Sequence, residues 1–192
     1  MNYHDFVNNE KLSNCAKNNQ DLSDRLLELD VKSICNYSRL LNGAIGAASE
    51  AAELLEVLAY PSNKDAAIDE LGDVLFYLAV TAEAIVIDHN ATEITSTNIY
   101  NIESFFIKDE INKLVTYTGK YLDIVKKIVF QGKDYADNKI KLHQGYNFTY
   151  NAVLRCCKAL DVTVEQVQQK NMDKLNGRYK NGFTVNESEN KK

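Results

Sequence analysis

Residues 49–76 read SEAAELLEVLAYPSNKDAAIDELGDVLF, and this stretch decides the fold. Before Pro61, apolar residues recur at helical spacing from Ile34 to about Ala59, through Leu40, Leu41, Ile45, Ala48, Ala52, Leu55 and Leu58. Pro61-Ser62-Asn63 stops that helix and caps a new one, because proline cannot continue a helix and an asparagine side chain accepts from its first free amides. Asp65, Asp69 and Glu70 suit the positive end of the next helix, expected over about Lys64 to Ile87. So short a link makes the two helices antiparallel neighbours. Gly43 and Gly46 interrupt the first helix, marking either a break or a close helix–helix approach.

The same reading extends outward. Residues 3–19 are polar and weakly periodic, enough for one short helix, and Leu22, Leu26, Leu27 and Leu29 belong to another that begins at Asp21 or Ser23. DHNATEITSTN (88–98) is the clearest loop. Further helices are expected over about 102–130 and 142–160, with residues 131 to about 139 as a connection. A last helix starts at Asp161 or Thr163 and ends near Arg178-Tyr179. No segment makes a strand pair, so the expected fold is an all-α helical bundle.

Composition narrows the function. The chain has 192 residues, 45% hydrophobic and 26% charged, as in ordinary globular proteins. Its net charge of −5 provides no basic field, so nucleic acid is not an expected partner and an anionic ligand needs a local cation. The longest apolar run, residues 74–87, contains Glu83 and is too short to span a bilayer, so no membrane partner is expected. The opening MNYHDFVNNEKL lacks the apolar core of a secretory signal. Cys15, Cys35, Cys156 and Cys157 make no CxxC pair and read as reduced thiols of a cytoplasmic protein.

Within the opening stretch, Glu50 and Glu53 are one acidic pair at i, i+3, and Glu70 and Asp73 are another. Either pair alone is ordinary for a solvated helix edge, the role assigned to Glu56, Asp69 and Glu83. On adjacent antiparallel helices the four can meet, where unpaired they repel one another and lose hydration. A divalent cation removes that conflict, and a set of oxygens with no imidazole or thiolate suits Mg2+ or Mn2+. A di-iron bundle wants Glu-x-x-His pairs, which are absent here. There is no GxxxxGK[ST] loop, and His4-Asp5 is an isolated dipeptide.

The segment NMDKLNGRYKNGF (171–183) puts Asn171, Lys174 and Arg178 on one helical face. Alone it is a helix end whose cations favour the C-terminal dipole; beside a metal-holding quartet it becomes a clamp for polyphosphate.

ExxE (50–53), a gap of sixteen residues, ExxD (70–73) within ELGDVLFYLA, and the terminal NxxKLxxRY (171–179) together resemble the MazG-like, all-α nucleoside triphosphate pyrophosphohydrolases. The opening YHDFV and closing SENKK are similar to phage-encoded members, which would place the protein in a host cytoplasm. The resemblance implies Mg2+ at Glu50, Glu53, Glu70 and Asp73, and phosphate contacts from Lys174 and Arg178 with Asn171 and Tyr179 nearby. It also implies water attack at the α-phosphorus, giving nucleoside monophosphate and pyrophosphate. A dUTPase- or dCTPase-like specificity is open within that reading. Outside it stands a catalytically inactive nucleotide-binding or helical interaction protein.

One departure from the family's pattern is informative. About a hundred residues separate ELGD from NxxKLxxRY, and they contain the outline of a second module. TYTGKYLDIVKKIVFQGKD (116–134) aligns Tyr117 with Glu50 and Lys120 with Glu53, while HQGYNFTY (143–150) aligns His143 with Glu70 and Tyr146 with Asp73. The expected organisation is an intrachain pseudo-dimer packed as one unit. Residues 1–98 carry the acids; residues 99–192 form a degenerate copy ending in NxxKLxxRY. The second copy either adds cations to the site through Lys126 and Lys127 or replaces a partner subunit's packing surface. A homodimer fits either organisation.

Overall fold

The computed structural model describes residues 18–32, 35–59, 63–85 and 106–179, all helical apart from short links and caps. Six helices follow in order: α1 (Asn19–Lys32), α2 (Tyr37–Ala59), α3 (Lys64–Ala84), α4 (Ile107–Phe130), α5 (Tyr135–Ala159) and α6 (Val164–Arg178). The described residues contain no strand, and the all-α expectation holds. None of their helices is long and apolar enough to cross a membrane. His4-Asp5, Cys15, the loop at 88–98 and the expected domain boundary after residue 98 lie outside the described residues.

The hairpin α2–α3 forms as the sequence directs. Asn63 caps α3 by accepting from the Ala66 amide at 3.2 Å, and Asp65 lies in its first turn. Gly43 and Gly46 cause no break. A Cβ on Gly43 would lie 2.2 Å from Thr81 Oγ1, and one on Gly46 would lie 2.3 Å from the Tyr77 ring, so these glycines let α2 and α3 approach closely. Leu40, Ala44, Ala47, Ala51 and Leu54 of α2 are buried against the core, as are Leu71, Val74 and Leu78 of α3. Each large apolar side chain so buried contributes roughly 1.5–3 kcal/mol.

A second antiparallel hairpin, α4–α5, packs against the first mainly through α2 and α4. Its connection is shorter than the sequence suggests: α5 begins at Tyr135 rather than near Leu142. Asp134 caps the helix by accepting from the Ala136 amide at 2.7 Å, and buried Tyr135 meets Tyr37 edge-on at 6.0 Å. Gly132 supplies the positive φ of 67° in the link. Only Tyr135 anchors this first turn, so apolar periodicity did not reveal it. Buried Glu110 of α4 pairs with Arg155 of α5 and with Lys113, each at 2.6 Å.

Two further helices close the bundle. Thr163 and Gln166 form a reciprocal capping box at the start of α6, which returns to lie along α3. On α1, buried Arg25 donates to the carbonyls of Ile128 and Lys133 and so ties that helix to the end of α4. Cys35, Cys156 and Cys157 are buried. Burial pushes the Cys35 and Cys157 thiols up to about 12, which leaves them as packing groups rather than nucleophiles.

Candidate functional site

Where α2, α3 and α6 converge they leave a cleft of about 530 Å³, lined by Glu50, Glu53, Asp69, Glu70, Asp73, Phe76, Tyr77, Lys174, Leu175, Arg178 and Tyr179. Antiparallel packing sets the end of α2 beside the start of α3, so the two acidic pairs face each other. Glu50, Glu53 and Glu70 each bring one carboxylate oxygen within 4.8 Å of the others. The Glu70 carboxyl is held above its ordinary value of 4.5, first by burial and then by the charges of Asp73 and Glu53, with Lys174 opposing.

Asp73 is held by α6. Its Oδ1 accepts from Asn171 Nδ2 at 2.7 Å and its Oδ2 pairs with Lys174 Nζ at 2.6 Å. The expected quartet is therefore a triad plus one acid held by α6. Gly72 permits this arrangement, because a Cβ there would lie 2.9 Å from the Asn171 Cβ. Asn171 is buried by that contact and works behind the cleft wall, whereas Lys174, Arg178 and Tyr179 form part of the wall itself. The Arg178 guanidinium carbon lies 5.9 Å from the centre of the Tyr179 ring.

Lys126 and Lys127 are not brought to the cleft. Both ammonium groups lie on Asp123, at 2.8 and 2.5 Å, because that acid precedes them by one helical turn on α4. At the positions aligned with the acids, the second hairpin carries aromatic packing instead. Tyr117 stacks on Phe148 at 5.7 Å, Lys120 lies 5.9 Å from the Tyr117 ring, and buried Tyr146 stacks on Tyr150 at 6.1 Å.

Sequence reasoning missed several lining residues. Asp69, assigned to a solvated edge, lines the cleft and pairs with Lys170 at 3.0 Å. Tyr77 fills the space left by Gly46, and its phenol is pushed up first by burial and then by Glu50 and Asp73, which keeps it a neutral hydrogen-bond donor beside the acids. Phe76 and Leu175 supply apolar wall. The spacing Asp73, Phe76, Tyr77 on a helix of known facing was the available signal.

Compared with protein-family models, with curated proteins and with solved structures, the chain matches none.

Proposed function

We propose that the cleft binds a divalent cation and a nucleoside triphosphate and hydrolyses the latter to nucleoside monophosphate and pyrophosphate. The observation that carries this reading is the meeting of three carboxylates from α2 and α3 with Lys174 and Arg178 of α6 in one cleft. Its size suits such a ligand, since small-molecule sites run about 300–1,000 Å³.

The donor set fits a hard dication. Glu50, Glu53 and Glu70 offer oxygens only, and burial, followed by the charges of Asp73 and Glu53, raises the Glu70 carboxyl. Mg2+ is the natural occupant, with Mn2+ a close substitute. When bound, such an ion neutralises phosphate oxygens and lowers the pKa of coordinated water. The chain's own groups do the rest. Arg178 faces the phosphates with a guanidinium fork, and Lys174 supplies an ammonium whose charge Asp73 shares. Tyr77 offers a neutral donor. In the reaction, a water oxygen bonds to the α-phosphorus as its proton passes to solvent, the bond to the bridging oxygen breaks, and pyrophosphate leaves with that oxygen.

The second hairpin is read as a degenerate copy that completes the bundle. Ala44, Ala47, Ala51 and Leu54 are buried in α2, and the positions aligned with them in α4, Ile111, Leu114, Thr118 and Tyr121, are buried too. Its contribution is read as packing rather than chemistry, because Lys126 and Lys127 do not line the cleft. A second reading, a nucleotide-binding protein without turnover, draws on one observation: Asp73 is engaged by α6 rather than gathered with the three glutamates.

Purified protein incubated with Mg2+ and a panel of (d)NTPs separates the two. Monophosphate plus pyrophosphate from at least one nucleotide supports hydrolysis. Nucleotide binding without turnover in Mg2+ or Mn2+ supports the second reading, and absence of both overturns the site.

A further inference from the structure

The cleft is not uniformly charged. Besides its acids and cations the lining includes Phe76, Leu175 and Tyr179, and Phe76 is 45% exposed on the same edge of α3 as exposed Ala79 and Glu83. Singly exposed aromatics are normal on a protein surface, but this one lines a cleft walled by three glutamates and two cations. Phe76 lies on the same helix as Glu70, about 9 Å further along its axis at a rise of about 1.5 Å per residue. The Phe76 ring is steadied edge-on by Tyr77, with centroids 5.3 Å apart and planes at 79°. Tyr77 is itself fixed over Gly46.

We propose that Phe76 is the platform on which the base of a bound nucleotide stacks, with its phosphates toward Lys174, Arg178 and the triad. The inference rests on the nucleotide reading above and deepens it by naming the residue that separates a nucleotide from a plain polyphosphate. The chemistry is complementary in two halves: charged groups suit a polyanion coordinated to a dication, and an apolar aromatic face suits a planar ring. A ribose and its ester oxygen occupy the interval between them. Stacking of this kind tolerates any base, so Phe76 sets the requirement for a base rather than its identity.

The chain contains no tryptophan, which provides a direct test. Phe76→Trp introduces a single indole in the intact protein, where fluorescence reports on stacking. In Mg2+, a non-hydrolysable α,β-methylene nucleoside triphosphate is expected to quench that fluorescence saturably, and inorganic tripolyphosphate is not. In parallel, calorimetry on Phe76→Ala is expected to show the analogue weakened by roughly 5- to 100-fold, the range for losing one base–aromatic stack. Tripolyphosphate affinity should stay unchanged, which also shows that the variant is folded. If the analogue binds wild type but Phe76→Ala has no effect, or weakens both ligands equally, the platform is overturned while the nucleotide reading stands. If tripolyphosphate binds as tightly as the analogue to the wild type, the base contributes nothing and the platform is again overturned. If neither ligand binds, both inferences fall.

Discussion

Lys174 and Asp73 form an ion pair of 2.6 Å that joins the last helix to the acidic wall of the cleft. Both side chains are about one-quarter exposed, so the pair is neither a screened surface contact nor a dry core bridge. Its consequence is that Asp73 is held by α6, while Glu50, Glu53 and Glu70 bring their carboxylates together on α2 and α3.

Removing that ammonium should therefore move two affinities in opposite directions. Lys174→Met frees the Asp73 carboxylate to add to the negative field at Glu70, so Mn2+ binding to the nucleotide-free protein should tighten several-fold. Binding of a nucleotide analogue in Mg2+ should weaken, because a phosphate partner is lost. Calorimetry on the one variant reads both numbers. Loss of both affinities would mean that Lys174 acts only in holding α6 to α3.

Glycine positions give a stability test in which sign matters. Gly72→Ala puts a Cβ 2.9 Å from that of Asn171, which should displace α6 and cost about 1–3 kcal/mol in urea unfolding. Gly119→Ala meets nothing within 4 Å in the interior of α4 and should stabilise by about 0.5–1 kcal/mol. Matching signs for the two would contradict the close packing of α6 on α3.

Much of this architecture was legible in the sequence, and its limits have physical causes. The Asn63 cap was legible because capping is local chemistry, whereas the stop read at Pro61 lies outside the described residues. The start of α5 was not legible, since Ala136, Asp137, Lys139 and Ile140 are exposed and only Tyr135 anchors its first turn. The acids of 50, 53 and 70 could be placed on facing helices by spacing alone. That Asp73 is diverted could not, because it depends on α6 returning across about a hundred residues to present Asn171 and Lys174. Lys126 and Lys127 lie outside the cleft lining, beside Asp123 one turn away on α4, a placement that spacing alone does not give.

The pH dependence follows from Glu70. Its carboxyl is raised in the fold, so the folded protein holds this proton more tightly than the unfolded chain does. Glu70 therefore favours the metal-free fold at low pH, and that contribution is lost as pH rises through the raised value. A cation competes with the same proton. Mg2+ should accordingly raise the melting temperature more at about pH 7.5 than at about pH 5, and Glu70→Gln should abolish most of that difference. An equal Mg2+ effect at both values would place the ion elsewhere.

The second hairpin depends on a buried charge of its own. Glu110→Ala strands Arg155 and leaves a cavity beside it, and should cost about 3 kcal/mol, as expected when one partner of a buried pair is removed. Replacing Glu110 and Arg155 together by methionine should recover much of that loss. Chemical denaturation of the two variants measures the difference, and equal losses in both would assign the cost to packing alone.

We propose that Glu50, Glu53 and Glu70 with the α6 cations make a nucleotide pyrophosphohydrolase. The most direct test is product analysis by 31P NMR after incubation of wild type and Glu53→Gln with Mg2+ and (d)NTPs. Monophosphate and pyrophosphate are expected from the wild type, and none from Glu53→Gln although its helical circular dichroism is unchanged. Diphosphate plus orthophosphate, or equal turnover by both proteins, would contradict it.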